Sequence, residues 1–132
     1  MIFLYNLFIM KKILILLMFT FTTNVYSFEK ITNFTFEKFK LAQNNNKTIV
    51  INSWNKACST CAAQSKILTE ALNDFNEVEF LFYEQTKYKE IAKALGIKFW
   101  STIVVFKGEK EVARKIGLVD KNEIYKIIKK GI

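Results

Sequence analysis

The segment Thr48-Ile49-Val50-Ile51-Asn52 limits this chain more than any other. It is short and rich in β-branched residues, and it shows no alternation of apolar and polar positions. As a strand it has no face to give to water, so it must be covered on both sides. That predicts a place at the centre of a sheet, with helices packed above and below.

The remaining sequence supplies the cover. Phe36, Phe39 and Leu41 within a charged stretch predict a helix that ends at the polar break Gln43-Asn44-Asn45-Asn46. From Cys58 onward, Ile67, Leu68, Ala71, Leu72 and Phe75 recur at spacings of three and four, the pattern of an amphipathic helix. Val78 to Tyr83 reads as a strand and Tyr88 to Leu95 as a helix stopped by Gly96. Thr102 to Phe106 and Glu111 to Ile116 read as a hairpin turning at Lys107-Gly108, and Lys121 to Lys130 as a closing helix. With Ile31 to Phe34 as a short first strand, the order is βαβαβαββα. Parallel strands first and a hairpin last predict a three-layer α/β/α domain around a central mixed sheet. A chain of 132 residues that is 51% hydrophobic, with four Gly and no Pro, has material for one such core and little for long loops.

Charge narrows the function less than it first suggests. The formal charge is +8, but Arg114 is the only arginine and the lysines are scattered among glutamates. Nucleic-acid recognition leans on the rigid fork of arginine, so a solvated basic surface is the expectation and no nucleic-acid partner is assigned. The absence of His removes Ser/His and Cys/His catalysis as well as the commonest metal ligand.

Met10-Lys11-Lys12, the apolar run Ile13 to Phe21 and the polar stretch Thr22 to Ser27 read as an export signal. Val25-Tyr26-Ser27 has the small-x-small form of a cleavage site, which predicts a signal peptide over 1–27, with Met10 as an alternative start, and a mature domain over 28–132. An uncleaved membrane anchor is the competing reading. Both place the domain in the periplasm or otherwise outside the cytoplasm, where two cysteines are able to pair. A monomer is expected.

Chemistry concentrates in Trp54-Asn55-Lys56-Ala57-Cys58-Ser59-Thr60-Cys61. Three residues apart at a strand-to-helix junction, the two sulfurs share one helix edge within disulfide reach. At a helix N-terminus the free N–H groups and the dipole favour the thiolate of Cys58; in such motifs the thiol pKa of ~8.5 falls to roughly 3.5–7.5. Cys61, one turn further in, is expected to be shielded and to react second. Two Cys without His fall short of a four-ligand zinc site, so neither a metal nor another cofactor is assigned. An inert structural disulfide also fits the spacing, although so small a loop stabilises a fold weakly.

Beyond the C-x-x-C, residues 31 to 132 resemble thioredoxin throughout. Trp54 stands four residues before the first Cys, as the family's Trp does. Gly96-Ile97-Lys98-Phe99-Trp100-Ser101-Thr102-Ile103-Val104-Val105-Phe106-Lys107 is similar to the segment that faces the cysteines, and Gly117 matches a Gly after the last strand. The resemblance implies a thioredoxin fold and a thiol-disulfide oxidoreductase cycle. Cys58 attacks a substrate disulfide, a mixed disulfide forms, and Cys61 displaces the reduced product. It also implies that Trp54, Trp100, Ser101 and Thr102 lie against the substrate, although Trp54 fits equally well as a core aromatic. The partners implied are disulfides or thiols of exported proteins, with a membrane thiol carrier as electron donor.

Two positions depart from the family pattern. Ser101 stands where the family has a cis-Pro. A cis bond before a residue other than Pro costs ~2.5–4 kcal/mol, so either the fold imposes strain there or the loop is trans. The Ser101 hydroxyl is free to hydrogen-bond a thiolate or to admit an ion, and the expectation is either altered substrate choice or simple tolerance of the change. Asn52 stands where many relatives have a buried acid, and an amide cannot take the proton of the second Cys. Ser59-Thr60 leaves the direction of the reaction open. Two other classes also stay open: a module holding a soft metal or an iron–sulfur cluster on the same cysteines, and a redox-inactive partner protein of the same fold.

Overall fold

The computed structural model describes residues 1–6 and 32–132; the predicted export segment, beyond a helical stretch at 2–6, and its boundary after Ser27 lie outside them. From Phe36 the elements run α1 (Phe36–Asn44), β1 (Thr48–Trp54), α2 (Ser59–Asp74), β2 (Glu79–Glu84), α3 (Lys89–Ala94), β3 (Thr102–Lys107), β4 (Lys110–Ile116) and α4 (Lys121–Lys129). The strands lie in the order β2-β1-β3-β4. β1 pairs parallel to β2 and antiparallel to β3, and β3 pairs antiparallel to β4. This is the expected mixed sheet, with β1 buried along its whole length.

Alternation along each strand divides the core between two layers. Val50 and Trp54 of β1, Phe80 and Phe82 of β2, and Ile103 and Val105 of β3 pack with Leu68 and Ala71 of α2 and Ile124, Ile127 and Ile128 of α4. Ile49, Ile51, Leu81, Tyr83, Val104 and Phe106 belong to the other layer, under Ala42 of α1 and Ile91 and Ala92 of α3. Ile49, Val50 and Ile51 are each fully buried, and burying such a side chain is worth about 1.5–3 kcal/mol. The strand that demanded cover on both faces receives it.

Helix ends follow from the sequence. Thr35 caps α1 by accepting from the Lys38 N–H at 3.1 Å, and Asp120 caps α4 by accepting from Glu123 at 2.9 Å. Gly96, at φ +61°, lets the chain leave α3, and the amide of Ile97 then reaches back to the carbonyl of Ala92 at 2.8 Å.

The expected first strand is not formed over Thr32–Phe34, so the first βα step of the predicted order is absent there. Asn33 shows why. Its side chain donates to the Phe80 carbonyl at 3.0 Å and accepts from the Phe82 N–H at 2.7 Å, while its own amide and that of Phe34 both point at the Phe82 carbonyl. One side-chain amide thus does what a strand's peptide group would do along the β2 edge, and the chain turns directly into α1.

Candidate active site

β1 runs towards Trp54, and β3 begins beside it, Asn52 lying opposite Ile103. The antiparallel pairing therefore brings the loop before β3 to the end of the sheet from which α2 departs. The loop after β4 arrives at the same end, since Thr102 pairs with Ile116. Three loops thus meet around the cysteines.

Cys58 and Cys61 form a disulfide with Cα atoms 5.2 Å apart. Cys58 is the N-cap of α2, and its sulfur accepts from the Cys61 N–H at 3.1 Å. Cys58 is half-buried, whereas Cys61 is fully buried. The first turn of the helix holds no acidic residue to oppose a negative sulfur. The loop ahead of Cys58 is fixed by Asn55, whose side chain accepts from the Ala57 amide at 2.9 Å and donates to Thr86 at 3.0 Å. Thr86 in turn donates to Glu84 at 2.6 Å. Sequence reasoning assigned Asn55 no role, since an Asn before a turn is ordinary.

The four residues expected against the substrate occupy different depths. Trp54 is 5% exposed and belongs to the same core cluster as Cys61 and Val50. Ser101 and Thr102 are also buried, while Trp100 is 42% and its neighbour Phe99 60% exposed. A groove of about 120 Å³ beside this loop is lined by Gly96, Lys98, Phe99, Thr102, Arg114 and Ile116. Arg114 is engaged structurally: it donates to the Leu95 carbonyl at 2.8 Å at the end of α3 and grips Glu111 through two hydrogen bonds of 2.8 and 2.9 Å. Those bonds hold the Glu111 carboxyl below the usual carboxylate range.

Ser101 stands in the left-handed region at φ +52°, and none of the described peptide bonds is cis. Of the two expectations for this loop, the trans one holds, and the strain lies in φ. Its hydroxyl donates to the Trp100 carbonyl at 2.7 Å. Its own carbonyl accepts from the Gly117 N–H at 2.9 Å and from Gln64 at 3.1 Å.

Gln64 was not anticipated. It is fully buried and donates to the carbonyls of Ser101 at 3.1 Å and Leu118 at 2.9 Å, while its oxygen accepts from Asn52 at 2.6 Å. Asn52, also fully buried, gives a further hydrogen bond to the Thr102 carbonyl at 3.3 Å. The available signal was a polar residue on the apolar stripe of α2, three and four positions before Ile67 and Leu68.

On the opposite layer, burial pushes the Tyr83 phenol up to about 12, with Ser53 and then Arg114 drawing it the other way. The Tyr83 hydroxyl has no hydrogen-bond partner among the described residues. Among the described residues, no three Cys, Asp or Glu side chains gather as metal ligands would. None of the described helices is long and apolar enough to cross a membrane.

Residues 27–130 match the thioredoxin family model. A thioredoxin of Mycoplasma genitalium is 30% identical over 78 residues, which cover 59% of this chain and 76% of that protein. Mitochondrial thioredoxin 3 of Saccharomyces cerevisiae, in its oxidised form, superposes with a TM-score of 0.66 at 24% identity, covering 75% of this chain and 93% of that one. Trxlp of Edwardsiella tarda EIB202 superposes with a TM-score of 0.70 at 16% identity, over 74% and 96% of the two chains. A helix-capping cysteine paired to a buried one, on this sheet and within this family match, identifies the chain as a thiol-disulfide oxidoreductase belonging to the thioredoxin family.

Proposed function

We propose that Cys58 is the nucleophile and Cys61 the resolving thiol in a cycle acting on disulfides of exported proteins. The Cys58 thiolate attacks one sulfur of the substrate disulfide and the other sulfur leaves as a thiolate. Cys61 then attacks Cys58, and the second substrate sulfur leaves; the substrate has gained two electrons and the enzyme has become a disulfide. The observation that carries this reading is the unequal placement of the pair. The Cys58 sulfur caps α2 at its mouth, where an attacking thiolate is favoured, and Cys61 lies fully buried one turn behind. The exposed Trp100, with the buried Ser101 and Thr102 next to it in the loop and Trp54 in the core cluster that holds Cys61, forms the wall against which the substrate docks.

Export is supported by the cationic, apolar and polar succession before Phe28, which the family match leaves almost wholly outside its span. In an oxidising compartment the enzyme needs a donor, and a membrane thiol carrier meets that need. The decisive experiment mixes the reduced chain with insulin. Cys61→Ser should accumulate a covalent mixed disulfide through Cys58, and Cys58→Ser should form none. Trapping through residue 61 in the Cys58→Ser variant would reverse the roles.

A further inference from the structure

We propose that Gln64 is a positioning residue for protein substrates: its buried amide sets the substrate-docking loop 99–101 against the redox helix. The inference rests on the exchange reading of Cys58 and Cys61 and on the docking role of that loop.

Gln64 lies on α2 one turn after Cys61 and is fully buried. Its two N–H groups go to the carbonyls of Ser101 and Leu118, at 3.1 and 2.9 Å, and thereby join the redox helix to both loops that flank the cysteines. These contacts fix the direction of the whole chain of bonds. A backbone carbonyl can only accept, so the NH₂ of Gln64 must face the loops and its oxygen must face Asn52. Asn52 must then present its own NH₂, which it shares between Gln64 at 2.6 Å and the Thr102 carbonyl at 3.3 Å. Every polar atom of the Gln64 side chain is used, and each contact lies in the region where β1, α2, β3 and the loop after β4 meet.

Ser101 explains why the loop needs such a hold. With φ at +52°, its backbone does not adopt this shape by local preference. The two hydrogen bonds onto the Ser101 carbonyl, from Gly117 and from Gln64, keep it there. A protein disulfide must contact this loop while one of its sulfurs lines up with Cys58, so the spacing between loop and helix enters its binding. A small disulfide reaches Cys58 without the loop.

The test compares single-turnover oxidation of the pre-reduced chain by insulin and by 4,4′-dithiodipyridine. Gln64→Met keeps the length of the side chain and removes the amide. Its second-order rate constant for insulin should fall at least tenfold, with the loss in the half-saturating insulin concentration and not in the limiting rate, while the rate with dithiodipyridine stays within twofold of the parent. Gln64→Glu gives a second readout. A buried carboxyl titrates above its usual range. Protonated, it still donates one hydrogen bond to a loop carbonyl; ionised, it repels both. The insulin-to-dithiodipyridine rate ratio of Gln64→Glu should therefore fall between pH 6.5 and 8.5, while the parent's ratio stays flat. A parent-like ratio in Gln64→Met overturns the proposal, and so, if that variant does not fold, does a flat ratio in Gln64→Glu. A parent chain that reacts with neither disulfide overturns the exchange reading itself, before any variant is compared.

Discussion

The backbone N–H of Cys61 donates to the sulfur of Cys58 at 3.1 Å, so the first cysteine caps the helix that carries the second. The bond gives the two sulfurs different chemistry. A negative Cys58 sulfur is stabilised by the unpaired donors of the first turn, while Cys61 sits inside the core cluster that holds Trp54 and Leu68.

The reduced protein should therefore alkylate selectively. At pH 7, iodoacetamide is expected to modify Cys58 at least tenfold faster than Cys61, read by mass spectrometry of peptides quenched over time. Equal rates would show that the cap and the burial do not separate the two thiols.

Substitutions at Ser101 should follow its backbone angle. Proline locks φ near −65°, far from the observed +52°, so Ser101→Pro is expected to cost more than about 1 kcal/mol. Glycine takes the left-handed region freely, and Ser101→Gly should stay within about 1 kcal/mol of the parent. Thermal unfolding measures the order: glycine close to the parent, proline well below both.

Asn52→Asp places a carboxylate oxygen where an NH₂ now donates to Gln64 at 2.6 Å and to the Thr102 carbonyl. Burial raises the pKa of the new carboxyl above its unfolded value of ~3.9. The variant should thus match the parent most closely below that value and lose stability as pH rises through the raised folded-state pKa. At pH 7 the deficit should be about 2–3 kcal/mol, measured by urea unfolding at several pH values. A deficit that does not change with pH would separate the loss from ionisation.

Tyr83 predicts an alkaline limb. Its folded-state pKa, pushed up to about 12 by burial, lies above the ordinary value of 10. Its contribution to stability is therefore complete below pH 10 and is lost as pH rises from there towards 12. Absorbance at 295 nm should show Tyr83 titrating late in the native protein, and Tyr83→Phe should remove that component while leaving the one from Tyr125, which burial and its hydrogen bond to Asp74 also push up. Because the hydroxyl has no hydrogen-bond partner among the described residues, the same variant should be neutral or slightly stabilising at pH 7.

The two-sided burial of β1 and the apolar stripe of α2 were legible in the sequence because each is a periodicity set by local backbone geometry. The missing first strand was not, because a side-chain amide such as Asn33 can satisfy a sheet edge without any strand pattern. Ser101 shows a similar limit. The lack of proline was visible in the sequence, but whether the strain would fall on ω or on φ depended on which groups hold the Ser101 carbonyl. Those groups, Gly117 and Gln64, are far away along the chain.

By itself, then, the sequence determined the layers, the helix that starts at the cysteines and the disulfide reach between Cys58 and Cys61, all consequences of neighbours within a few residues. Only the tertiary structure decided that Asn52 and Gln64 bind each other through their amides and hold the loops of Ser101 and Leu118. A buried donor takes whichever acceptor the fold brings within 3 Å or so, and no spacing in the sequence encodes that choice.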